Sequence, residues 1–144
     1  MAEKPRTPAA GNAPEGLGHG PGRLLVTVYG VFAVGATSRS AFQLATRFHE
    51  APLAYVLSAV AAVVYVVITL ALVRGGGVAR TVATAGCAAE LAGVLTVGTW
   101  TVLDPDAFPD ATVWSDYGLG YLLLPLVLPV LGLAWLRRSR RRAA

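Results

Sequence analysis

The sequence predicts an all-α fold, a polytopic membrane protein built as a four-helix transmembrane bundle. Three observations carry this. Apolar residues make up 55% of the 144 residues and charged residues only 14%, with a mean hydropathy of +0.59; a soluble domain is nearer ~45–50% apolar and ~25% charged. The apolar residues gather into four runs of about 20, the length that crosses a hydrocarbon core about 30 Å thick. The charges fall almost entirely between or beyond those runs.

Residues 1–22 are crowded with Pro, Gly and Ala and show no apolar periodicity, so they bury too little surface to offset ordering entropy. A disordered cytoplasmic tail is expected, with His19 a solvated linker residue. The first span is placed at about 24–44. Its opening, LLVTVYGVFA followed by Val34-Gly35-Ala36, also resembles a signal peptide cleaved after Ala36. A 23-residue segment before it, and apolar character that persists past Ala36, favour an uncleaved helix.

The second span, 53–73, is uncharged throughout and lies between Glu50 and Arg74. The Gly75-Gly76-Gly77 triplet stops it and supplies a tight turn. A third span, 81–103, is interrupted only by Glu90. The fourth, 117–136, contains Pro125 and Pro129, and residues 137–144 form a basic cytoplasmic tail. Asp104–Asp116 is the one sizeable loop, with turn chemistry at Asp-Pro and Phe-Pro.

Arginine placement sets the orientation. Lys4, Arg6, Arg23, Arg74, Arg80, Arg137, Arg138, Arg140, Arg141 and Arg142 lie on one side, and only Arg39 and Arg47 on the other. The positive-inside rule then puts both termini in the cytoplasm of a multi-pass plasma-membrane protein. Trp100, Phe108, Trp114, Tyr117 and Tyr121 are expected at the outer interface and Trp135 at the inner one, as aromatic belts.

Glu90 is the leading candidate for chemistry, because a carboxyl inside a bilayer costs several kcal/mol and is normally neutralised, paired or placed in a wet cavity. It lies about 14 Å from Thr81 along the helix, and Tyr65 about 12 Å from Val73 on the antiparallel neighbour. Near-equal depth lets Tyr65 donate to Glu90, which reads as interhelical glue, with a proton- or cation-linked role or a contact to a partner subunit as alternatives. Arg39 lies about 22 Å along the first span, leaving a gap of about 8 Å to Glu90. It reads as an interfacial arginine snorkelling to lipid phosphate, with pairing to Glu90 or to the carbonyl of Tyr121, freed by Pro125, as alternatives.

Pro125 and Pro129 should kink the fourth helix. Ala85, Ala89 and Gly93 recur every four residues on the third, a small-residue stripe that admits close approach and puts this helix at the bundle centre or at an oligomer interface. The single Cys87 precludes an intrachain disulfide and reads as a buried inert thiol. The loop aspartates lack the Asp-x-Asp-x-Asp-Gly spacing of a calcium site, both histidines lie outside the spans, and no Walker, zincin or nucleophile-elbow motif is present. No metal, cofactor or enzymatic activity is therefore expected. The arginine-rich tail, directly after a span, reads as an anchor to anionic lipid headgroups rather than a nucleic-acid contact.

Two stretches, SRSAFQLATRFHEAPLAYVLSAVAAVVYVVITLAL and FPDATVWSDYGLGYLLLPLVLPVLGLAWLRR, cover about half the chain. They resemble the uncharacterised small four-span integral membrane proteins of high-GC Gram-positive (actinobacterial) bacteria. The resemblance implies a plasma-membrane location and brings no activity with it. Small multidrug-resistance transporters also have four short helices and one membrane carboxylate, but theirs is in the first helix. The expected function is a non-enzymatic accessory, scaffold or self-associating subunit, with a proton-linked transporter or channel using Glu90 as the alternative.

Overall fold

The computed structural model describes residues 20–143, and side-chain surroundings for 20–141. The expected disordered tail over 1–19, with His19, Lys4 and Arg6, lies outside the described residues, as do the Arg142 side chain and Ala144. Among the described residues the chain is all-helical. Its four long helices are α1 (Pro21–Thr46), α2 (Pro52–Arg74), α3 (Gly77–Leu103) and α4 (Leu124–Ala143).

Helix α1 begins earlier than expected. Pro21 occupies the first turn after Gly20, where its missing N–H is one the helix would leave unpaired anyway and its φ is already helical. Pro52 does the same for α2. The α2–α3 link is Gly75 and Gly76, with φ of 68° and 91°, a left-handed pair that glycine adopts without steric cost. It forces the two helices antiparallel. Helix α2 packs between α1 and α3, and α4 packs on α3 with a lesser contact to α1.

The interior is made of small and aromatic side chains: Tyr29, Ala61, Tyr65, Ile68, Ala83, Cys87 and Val94 are all buried. Large aliphatic residues face outward, among them Leu24, Val34, Val63, Leu70 and Leu95. In water such a surface would be an error of patterning; against lipid it is what a spanning bundle requires. Helices α1, α2 and α3 are each long and apolar enough to cross a membrane.

The fourth span departs from expectation. The segment expected to run helically from Tyr117 is instead a short 3-10 element, Ser115–Tyr121, set at 96° to α4. Asp116, Tyr117 and Gly118 lie in the left-handed region, as do Leu122 and Leu123 at the corner. Pro125 does not kink the helix; it starts it, as the second residue of α4, where its absent N–H is harmless. The break falls just upstream, at Leu122 and Leu123, and the pre-proline residue Leu124 is already the first of α4. Pro129 alone sits inside the helix. At its other end α4 continues past Leu136, so Arg137, Arg138, Arg140 and Arg141 ride on helix rather than on a free tail.

This break has a geometric consequence. The apolar part of α4, residues 124–136, is about 20 Å long at the helical rise, well short of the hydrocarbon thickness. The missing length is filled by the preceding loop, which turns inward. Thr112, Val113, Trp114, Ser115 and Gly118 are buried, and Trp114 lies against Gly93, ten residues down α3 from the loop end, or about 15 Å. The chain between α3 and α4 is therefore re-entrant. Trp114, expected at the interface, is a core residue, because Gly93 has no Cβ: one there would stand 2.7 Å from the indole ring.

Buried non-helical backbone must find hydrogen bonds inside the protein, and this turn finds them in hydroxyls. The amide of Thr112 donates to Ser115 Oγ at 2.9 Å, that of Trp114 to Thr112 Oγ1 at 3.0 Å, and that of Asp116 to Thr101 Oγ1 at 2.8 Å.

Candidate functional site

Glu90 is the central residue of α3 and has no solvent exposure. Its partner is not the expected one. The Tyr29 hydroxyl of α1 donates to Glu90 Oε2 at 2.7 Å, and also lies 3.6 Å from Cys87 Sγ. The signal that finds Tyr29 is the inward stripe of α1, Gly22, Leu25, Tyr29, Ala33, Ser40 and Gln43; Ser40 and Gln43 lie at the loop end, and within the first three turns Tyr29 is the one residue with a polar tip. That stripe is invisible to hydropathy, since the opposite face of α1 is equally apolar.

The Tyr65 hydroxyl lies beside both the Glu90 carboxyl and the Trp114 indole, at the depth expected. It nevertheless forms no hydrogen bond of good geometry. The Tyr65 hydroxyl, Glu90 Oε1 and Trp114 Nε1 are three buried polar atoms without a partner among the described residues. Tyr29 from α1 and Tyr65 from α2 thus meet at the Glu90 carboxyl of α3, and Trp114 of the re-entrant turn stands beside the Tyr65 hydroxyl.

Arg39 does not reach Glu90. Its guanidinium donates to the Tyr121 hydroxyl and to the carbonyl of Ala111 at 3.3 Å. The Tyr121 acceptor is the hydroxyl, not the carbonyl that Pro125 was expected to free. Arg39 therefore grips the re-entrant segment at both its start and its end. Tyr55 secures the same segment, donating to Asp110 Oδ2 at 3.0 Å.

A ladder of rings joins the two polar centres. Phe32 lies edge-on to Tyr65 with centroids 5.7 Å apart and meets Tyr121 at 5.9 Å; Tyr65 in turn meets Tyr29 at 6.2 Å. On the loop side of Phe32 is a cleft of about 230 Å³ between α1, α2 and the re-entrant segment, which reaches Arg39, Ser40 and Ser58.

The small-residue stripe divides. Gly93 turns inward beneath Trp114, whereas Ala85 and Ala89 are exposed on the outer face of α3. Close approach inside the bundle is made by other glycines. Gly86 abuts Ile68 of α2, and Gly132 of α4 abuts Cys87. Among the described residues no three His, Cys, Asp or Glu side chains gather as a metal-binding group would require.

No protein-family model, curated protein or solved structure matches the chain. What the fold and site define is a class, an all-helical membrane protein with three spans, or four if the bent pair counts as one, around a buried glutamate.

Proposed function

We propose that this chain is a non-enzymatic subunit of the plasma membrane that self-associates, or docks as an accessory subunit into a larger membrane assembly. The observation that carries this reading is the outward face of α3. Thr81, Val82, Thr84, Ala85, Ala88, Ala89 and Ala92 are all exposed there, so no side chain larger than valine interrupts about three turns. The hydroxyls of Thr81 and Thr84 are spent on the carbonyls of Gly77 and Arg80 one turn back, which leaves a smooth surface of methyl groups. In lipid, helix association is driven by packing, and small residues allow it at close range. Glu90, enclosed on the opposite side of α3, serves in this reading as an interhelical tie.

The arginine distribution supports cytoplasmic termini, and the arginines from Arg137 to Arg142 would draw that end of the chain to anionic headgroups by about 1 kcal/mol each. The resemblance to four-span actinobacterial proteins agrees with this location.

Purified in mild detergent, the protein is expected to run as an oligomer or with a stoichiometric partner. Ala88→Trp, which sets an indole on the smooth face without touching the core, should return it to a monomer of unchanged helicity. A wild-type protein that is monomeric and alone by light scattering would refute the reading.

One observation favours a second reading, a proton-linked transporter or channel. Glu90 Oε1, the Tyr65 hydroxyl and Trp114 Nε1 are buried polar atoms without a partner among the described residues, and buried ionisable groups in spans commonly mark proton paths. Glu90→Gln keeps an acceptor for Tyr29 and should leave assembly intact. In proteoliposomes it should abolish any pH-driven flux; flux equal to wild type would remove this reading.

A further inference from the structure

We propose that the cleft between α1, α2 and the re-entrant segment is a binding site for a membrane lipid with an anionic headgroup. Arg39 supplies the charge, Ser40 a hydroxyl donor, and the lower wall receives the start of an acyl chain. The inference is independent of whether α3 mediates assembly.

The first argument is the cation. Arg39 is half-buried, and its two contacts, the Tyr121 hydroxyl and the Ala111 carbonyl, are neutral. The other arginine at this end, Arg47, has a carboxylate in Glu50 at 3.2 Å; Arg39 has none among the described residues. A guanidinium carries five N–H donors in a planar fork suited to carboxylate or phosphate oxygens, so most of its capacity is unused.

The second argument is Ser40. Several helical hydroxyls in this protein return to the carbonyl four residues earlier, as those of Thr27, Thr46 and Thr69 do. Ser40, next to Arg39 and only 4% exposed, lines the cleft, and its Oγ has no partner among the described residues. Such a group costs free energy unless something in the cleft accepts from it. Ser58 of α2 faces it across the same space.

The third argument is the order of the lining along α1. Arg39 and Ser40 stand at the loop end; Gly35, Phe32 and Val31 follow below, so the polarity falls from charge to hydrocarbon over about 12 Å. This is the polarity profile of a lipid entering its leaflet. The cleft also opens at the exposed Val31 and Gly35, on the apolar exterior of α1. Its 230 Å³ is below the ~300 Å³ of typical small-molecule pockets, which fits a headgroup with the first part of one chain. A free phosphate would leave the apolar half unfilled.

Native mass spectrometry of the delipidated, full-length protein tests this. With dioleoyl phosphatidylglycerol, one retained lipid is expected per chain, held about tenfold more strongly than dioleoyl phosphatidylcholine. Inorganic phosphate should not displace it. Gly35→Leu puts a side chain into the cleft where a Cβ meets nothing within 4 Å; it should abolish retention while helical content and unfolding temperature hold. Ser40→Ala, a milder change, should weaken retention several-fold. Equal retention of both lipids, displacement by inorganic phosphate, or wild-type retention by a folded Gly35→Leu protein would each overturn the proposal.

Discussion

Gly118→Ala is expected to unseat the re-entrant turn and destabilise the protein by about 2–5 kcal/mol. Two effects add. Gly118 has φ of 82°, where an L-residue costs roughly 1–2 kcal/mol. A Cβ there would also stand 2.8 Å from three ring carbons of Pro125, a rigid and fully buried neighbour that cannot swing away, and such overpacking costs about 1–3 kcal/mol. Thermal unfolding in detergent measures the loss. A red shift in tryptophan emission would show that Trp114 has left its seat on Gly93. Gly120→Ala is the matched control: two residues away, it has no positive φ and a Cβ there meets nothing within 4 Å, so its effect should stay within about 0.5 kcal/mol. Equal effects of the two changes would mean that the turn is not held by the Gly118–Pro125 contact.

The second large effect separates two tyrosines that the sequence does not distinguish. Tyr29→Phe keeps the ring and removes the only hydrogen bond that the Glu90 carboxyl makes among the described residues. Leaving that carboxyl unsatisfied in a fully buried place should cost about 1–3 kcal/mol. Tyr65→Phe removes a hydroxyl that forms no such bond, and should cost no more than about 0.5 kcal/mol. The Glu90→Leu change should be less costly in a Tyr29→Phe background than alone, because the two groups form one interaction. Chemical or thermal unfolding of the four variants checks the cycle; additive losses would show that the Tyr29–Glu90 contact carries no coupling.

The parts of the fold set by length and charge could be read before any coordinates. The sequence places α2 at 53–73, and it spans Pro52–Arg74, because an uncharged run between Glu50 and Arg74, closed by glycines, has only one way to be a span. Glu90 stands out for the same reason, as the one acidic residue inside a run. What could not be read is which way each helix faces. In lipid the exterior is as apolar as the core, so the periodicity that orients a helix in a soluble bundle is absent. The sequence therefore does not single out Tyr29 as the partner of Glu90, and it puts Ala85 and Ala89 on one face with Gly93, which the structure divides. The re-entrant turn was hidden differently. Its Asp- and Pro-rich flank reads as a surface loop, and its buried backbone is satisfied by hydroxyls of Thr101, Thr112 and Ser115 that have no regular spacing.

The lengths of the links between helices decide where the bundle opens. Two residues, Gly75 and Gly76, join α2 to α3, whereas twenty, 104–123, separate α3 from α4. Chain entropy charges about 2 kcal/mol more for closing the longer link, and α4 has no short tether to any other helix. Its place, with Gly132 against Cys87, is kept by the inward turn, through the grip of Arg39 on Ala111 and Tyr121 and of Thr101 on Asp116. The first three helices thus form one unit by sequence adjacency, and α4 is a separable leaf fastened to it by a clasp. Partial unfolding should begin where the clasp is released, and Cys87, sealed beneath Gly132, is the thiol whose exposure would report it.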